Sequence, residues 1–306
     1  MSLTMTAARA AALILPTNLS TLAQTGSNTL VGAPHSPDGT AAAATVAPGR
    51  HIELPGVKLW YTDTGGTGVP VVLLHANTFT SAEWAPQVQA LSAAGYRVIA
   101  FDRRGWGRSE ANPVTGTQPG TVAEDLDNLV RQLQLPQFHL VGIAGGGFVA
   151  IDFAAWQPEQ LRSLVIAASN GQIAEKRMAD FRARIDIPAL LEPSQRVNRE
   201  LGIAYRAENP EGTNRFHHVE QTAKQPNAPA QPMRTPNTFA KLASIRVPTL
   251  ILAGGADLIA PPALMRDWAS HLQRYEFQTI DDAGHSIAWE RPGTFSDRVL
   301  GFIVRH

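Results

Sequence analysis

The chain has 306 residues, 44% of them hydrophobic and 17% charged, which is long enough to bury a large core. Its 26 Lys and Arg balance 26 Asp and Glu, so no basic field for nucleic acid and no acidic tail is present. With no cysteine there is no disulfide framework, zinc ribbon or thiol nucleophile, and no apolar run approaches the roughly 18 residues of a membrane span.

The first 49 residues are rich in Ala, Gly, Ser and Pro and read as an N-terminal arm of a cytoplasmic protein. A weak secretory signal is the alternative, because Arg9 precedes a short apolar run that Pro16 breaks. Beyond Gly49 the pattern alternates. "KLWYTDTG" reads as a strand, and "VPVVLLHA" is an apolar run of the kind buried on both faces of a parallel sheet. "SAEWAPQVQALSAAG" reads as a helix ending at Gly95, and "YRVIAFD" as the next buried strand. "TVAEDLDNLVRQLQL" spaces Val122, Leu126, Leu129, Val130 and Leu133 at helical intervals, with acids in its first turn. "FHLVGIA" is a strand, "GGGFVAIDFAAW" a helix and "LRSLVIAAS" another strand. Residues 171–243 then read as helical and loop-rich, before "RVPTLILAGGAD", "PPALMRDWASHL", "YEFQTIDDAG" and "GTFSDRVLGFIVRH" restore the strand–helix alternation.

This order predicts an α/β fold, a doubly wound and mostly parallel sheet built from right-handed βαβ units. Residues 50–170 and 244–306 form its core. Residues 171–243 form a helical cap over the carboxyl edge of the sheet, where such folds bind ligands.

The chemistry centres on "GIAGGG", Gly142 to Gly147, where a strand runs into a glycine-rich turn and a helix. The layout is that of the nucleophile elbow G-x-S-x-G, with Ala144 at the nucleophile position. Here, and in four further motifs, the chain resembles the α/β-hydrolase superfamily. "VVLLHAN" is similar to its strand-end His-Gly-x motif, "FDRRGWGRS" to its Asp-x-x-Gly-x-Gly-x-Ser turn, "LILAGGADLIAPP" to the acid loop and "DDAGHSIAWERPGTF" to the histidine loop. The resemblance covers about residues 50–306. It implies Asp257 as the triad acid and His285 as the base, in the chain order of that fold. It also implies oxyanion donors at the backbone N–H groups of Asn77 and Gly145. "YRVIAFDRRGWGRS" resembles cofactor-free haloperoxidases and aryl esterases, which implies small acyl substrates and neither metal nor organic cofactor.

Other residues carry plainer expectations. His75 is read as a histidine bonding loop backbone, and Asp102, Arg103, Arg104 and Arg108 as residues that fix the turn after their strand. His217 and His218 read as a solvated pair, since no third metal ligand is evident. Phe79 and Trp289 are candidates to line a substrate channel, and Asp281 and Asp282 are lesser rivals to Asp257 as the partner of His285. Three readings of Ala144 stand. The chain is a Ser→Ala variant of a serine hydrolase for an ester or lactone, or its parent carries an aspartate nucleophile as in haloalkane dehalogenases and epoxide hydrolases, or it is a natural ligand-binding relative without catalysis. Cleavage of a carbon–carbon bond in a diketone-like substrate uses the same triad. The expected partner is a small molecule, with no nucleic acid and no membrane; oligomeric state is not legible.

Overall fold

The computed structural model describes residues 48–111, 120–226, 228 and 230–306. The expected N-terminal arm lies outside the described residues except for Pro48 and Gly49.

Nine strands form one sheet among the described residues: β1 (Arg50–Leu54), β2 (Val57–Asp63), β3 (Pro70–Leu74), β4 (Arg97–Phe101), β5 (Glu110–Ala111), β6 (Phe138–Ile143), β7 (Leu161–Ala167), β8 (Thr249–Gly254) and β9 (Tyr275–Ile280). The order across the sheet is β1-β2-β4-β3-β6-β7-β8-β9, with β5 beside β2. From β4 to β9 every neighbouring pair is parallel; β1 and β2 form an antiparallel hairpin at the edge. The sheet is therefore mostly parallel, as the strand–helix alternation predicts. The edge strand β1 was not separable in the sequence, because "RHIEL" buries only its last residue.

Flanking the sheet are α1 (Ala85–Ala93), α2 (Val122–Gln132), α3 (Gly145–Trp156), α9 (Pro262–Ala269) and α11 (Pro292–Ile303). Between β7 and β8 come α4 (Lys176–Ile185), α5 (Arg196–Glu200), α6 (Ile203–Glu208), α7 (Pro210–Thr222) and α8 (Phe239–Ser244); α10 (Ile287–Glu290) precedes α11. Residue type explains the boundaries. Thr121 caps α2 in a reciprocal box with Glu124, which satisfies two of the orphan donors of the first turn. The apolar stripe of α2 then buries Val122, Leu126, Leu129 and Val130. Helix α3 is buried and apolar apart from Asp152, whose carboxylate is paired with Lys241, as suits a helix wedged against a central strand. The two hydrophobic clusters lie on opposite faces of the sheet: alternate residues of β3, Val72 and Leu74 against Val71 and Leu73, divide between them.

Buried charge fixes the turn after β4. Arg104 is 1% exposed and makes a bidentate pair with Asp125 of α2, at 2.6 and 3.1 Å. Asp102 accepts the backbone N–H groups of Ser81 (2.7 Å) and Arg108 (2.9 Å), closing the turn in the way its composition suggests.

Candidate active site

Ala144, Asp257, His285 and Asn77 each follow the carboxyl end of a parallel strand, β6, β8, β9 and β3 respectively. That edge is where open α/β sheets place their ligands.

The turn at Ala144 is strained. Its φ of 49° and ψ of −111° place an L-residue where side chains are disfavoured, at a typical cost of about 1–3 kcal/mol. The surroundings hold it there. The Ala144 N–H donates to Ala167 O at 2.9 Å, and the Ala144 carbonyl accepts Ser169 Oγ at 2.8 Å. The glycines are required by close approach. A Cβ on Gly146 would overlap the carbonyl of Leu74, and one on Gly145 would overlap the side chain of Asn77.

Asp257 and His285 are brought together. The His285 Nδ1–H donates to Asp257 Oδ2 at 2.8 Å, and both residues are buried. Asp257 Oδ1 accepts the N–H groups of Ile259 (2.7 Å) and Ala260 (2.9 Å), so the carboxylate is fully bonded and fixed in orientation. Burial pushes the imidazole of His285 down, but the charges of Asp257 and Glu200 and the Asp257 hydrogen bond outweigh it and hold the group up at about 9. Asp281 and Asp282 are exposed and do not partner the imidazole.

One cavity of about 440 Å³ is lined by Ala144, Gly145, Asn77 and His285 together. The backbone N–H groups of Asn77 and Gly145 have no protein acceptor among the described residues. Asn77 itself is pinned twice: its carbonyl accepts the Trp106 indole N–H at 2.9 Å, and its Oδ1 accepts Arg103 Nη2 at 2.8 Å. His75 bonds loop backbone. Its Nδ1–H donates to Ala76 O at 2.7 Å and its Nε2 accepts the Arg103 N–H at 3.0 Å, while burial and the Arg103 charge hold its pKa well below the usual histidine range.

Phe79 and Trp289 line a separate small cavity together with His75 and Trp84. They stack on each other at 5.6 Å and pack edge-on against Phe216, and neither is among the residues lining the cavity at Ala144. His217 is exposed and meets Gln221, and no group of three or more metal-ligating side chains occurs among the described residues.

The model for the alpha/beta hydrolase family matches residues 71–298, a range that includes Ala144, Asp257 and His285. The chain belongs to the alpha/beta hydrolase family. Among characterised relatives of this alpha/beta hydrolase, a 2-hydroxy-6-oxononadienedioate/2-hydroxy-6-oxononatrienedioate hydrolase of Burkholderia vietnamiensis is 27% identical over 268 residues, covering 81% of this chain and 92% of its own. The enzyme of the same name from Escherichia coli is 26% identical over 280 residues, with the same coverage. A thermophilic esterase from Thermogutta terrifontis superposes with a TM-score of 0.68 at 26% identity, covering 85% of this chain and 99% of that one. A bromoperoxidase from Bacillus anthracis, 22% identical with a TM-score of 0.64 over 81% of this chain and 96% of its own, shares the fold.

This alpha/beta hydrolase also brings to the cavity residues that sequence reasoning missed: Arg196, Arg199, Glu200, Glu220 and Lys224, all from the segment between β7 and β8. Arg196 pairs with Glu220 at 2.8 Å. Glu200 is buried, and desolvation raises its carboxyl above the ordinary range against the pull of His285. No local signal marks these positions, because short helices of mixed polar residues read alike whether they face water or a pocket.

Proposed function

We propose that the parent of this chain is a serine hydrolase for a carboxylic ester or lactone, and that Ala144 stands where its nucleophile belongs. The supporting observation is the strained elbow at Ala144, which opens on the same cavity as a fully bonded Asp257–His285 pair. Backbone strain of this kind is kept where a side chain must be presented, and alanine has nothing to present. With serine at 144, Oγ attacks the acyl carbon while His285 Nε2 takes the hydroxyl proton. The N–H groups of Asn77 and Gly145 stabilise the tetrahedral oxyanion. Collapse expels the alcohol, which leaves with the proton from His285, and water attacks the acyl-enzyme by the same sequence in reverse. Asp257 orients the imidazole throughout.

An aspartate nucleophile of the haloalkane dehalogenase kind is disfavoured, because those enzymes set tryptophan after it and position 145 admits no side chain beside Asn77. A second reading is carbon–carbon bond hydrolysis, supported by the names of the Burkholderia and Escherichia coli relatives.

The test is the Ala144→Ser protein. It should form a covalent adduct with a fluorophosphonate probe and turn over aryl esters or lactones; faster turnover of a vinylogous 1,5-diketone acid favours the second reading. A restored protein that takes no probe and hydrolyses none of these substrates is a ligand-binding relative, and the hydrolase reading fails.

A further inference from the structure

Two consecutive arginines follow β4, and they are treated differently. Arg104 has the carboxylate of Asp125. Arg103, only 4% exposed, has no carboxylate within 4.0 Å among the described residues; its Nε–H has no acceptor, and one Nη2 hydrogen bond to Asn77 is its side-chain polar contact. Its guanidinium lies 4.4 Å from the centre of the Trp106 ring, and Lys224 Nζ lies 5.3 Å from the same ring, also with no carboxylate partner. Burial alone draws Arg103 down to about 9, which still leaves a cation at neutral pH. A buried guanidinium carries five donors and is costly to leave without an anion.

Arg103 and Lys224 both line a second cavity of about 180 Å³. This chamber shares Asn77, Trp106, Gly145, Phe148 and Lys224 with the cavity at Ala144, so it lies against the pair of candidate oxyanion donors. The carboxylate in its lining, Asp152, is already engaged by Lys241 and by the N–H of Arg234. The chamber is therefore left with positive charge and unused donors.

We infer that this chamber is a carboxylate subsite: the substrate carries a free carboxylate remote from its scissile bond, and that group enters beside Asn77 to pair with Arg103, with Lys224 as a second cation. The inference rests on the hydrolase reading and narrows it to acid-bearing substrates such as the monoester of a dicarboxylic acid. Arginine suits the role because its planar fork meets a carboxylate through two parallel bonds.

The chain with Ala144 allows binding to be measured without turnover. Isothermal titration would compare monomethyl adipate and monomethyl suberate with their dimethyl esters. A monoester should bind roughly tenfold or more tightly than its diester, as one charge-assisted contact supplies, and the preference should shrink with added salt. Arg103→Gln, which keeps a donor for Asn77, should abolish the preference, Arg103→Lys should retain part of it, and Lys224→Met should weaken it with the Asn77 contact untouched. Equal affinity for monoester and diester, binding of neither, or a preference that survives in Arg103→Gln overturns the subsite. Fluorophosphonate labelling of Ala144→Ser reports on the hydrolase reading separately, since that probe needs the serine and no carboxylate.

Discussion

The carbonyl of Glu200 accepts the backbone N–H of His285 at 2.8 Å and that of Ser286 at 3.1 Å. The loop presenting the imidazole is thus held by the helical segment between β7 and β8 as well as by the turn after β8, whose Ala256 N–H donates to Ala283 O at 2.9 Å. Glu200 also places its buried carboxyl near the imidazole and helps to hold the His285 pKa up. Glu200→Gln keeps the backbone bonds and removes the charge. It should therefore lower the His285 pKa below about 9 while leaving the fold intact. Imidazole titration by NMR checks this; an unchanged pKa would assign the elevation to Asp257 alone.

Stability should depend on pH through the same group. The His285 pKa is raised on folding from 6.5 to about 9, so the native state favours the imidazolium. Its contribution is complete below about pH 6.5 and is lost as pH rises through about 9, amounting to about 3 kcal/mol at most. The surrounding charges are Asp257 and Glu200, which support the cation, and Arg199, which opposes it. Urea unfolding at pH 6 and pH 9.5 should differ by more in the chain as it stands than in a His285→Gln variant. A pH dependence that is the same in both would remove His285 as its source.

Legibility followed the range of the interactions involved. The central strands were readable because a parallel strand buried on both faces leaves a continuous apolar run, as in "VVLL" and "VIAF". Helix α2 was readable because its stripe and its capping box are local. The elbow was readable for another reason: close approach to Leu74 and Asn77 requires glycine at fixed spacing, which leaves a trace in one short stretch. Glu200, Arg199 and Arg103 left no such trace. Their roles depend on which far-separated segment lies beside them, and a buried arginine without a carboxylate looks in sequence like its paired neighbour Arg104.

The strain at Ala144 has a measurable consequence. Glycine adopts a φ of 49° and a ψ of −111° without the Cβ penalty, at an unfolded-state entropy cost of about 0.4–1 kcal/mol. Relief of about 1–3 kcal/mol of strain outweighs that cost. Ala144→Gly should therefore raise the denaturation midpoint, by about 1 kcal/mol in stability. A destabilised Ala144→Gly protein would mean that the backbone at 144 is relaxed. Gly145→Ala is expected to act in the opposite direction, because its Cβ displaces Asn77.

Breaking the Arg104–Asp125 pair should be costly. The two residues are 1% and 2% exposed, and Asp125 also accepts Gln231 at 2.9 Å. Asp125→Asn leaves a buried guanidinium without its counter-charge, which typically costs about 3–5 kcal/mol. Chemical denaturation measures the loss. A change under about 1 kcal/mol would indicate that the remaining acceptors of Arg104, such as Pro55 O at 3.0 Å, carry the site without the ion pair.

On the serine-hydrolase reading proposed above, Ala144→Ser gives the largest expected effect. Triad knockouts lower kcat by about 10⁶, and the residue of catalysis comes from the oxyanion hole and binding. Ala144→Ser should recover a rate of that order over the chain as it stands, on whichever ester or lactone the cavity accepts. The base must be neutral to take the serine proton, and the His285 pKa lies at about 9 in this pocket. Activity of the restored enzyme should therefore climb with pH across the neutral range, reach half its maximum near pH 9 and level off only above it, and Glu200→Gln should move that midpoint to lower pH. Adding His285→Ala should cancel the gain in kcat with the fold intact by circular dichroism. A restored enzyme whose rate is flat from pH 6 to 9, or that survives loss of His285, would place the general base elsewhere in the cavity.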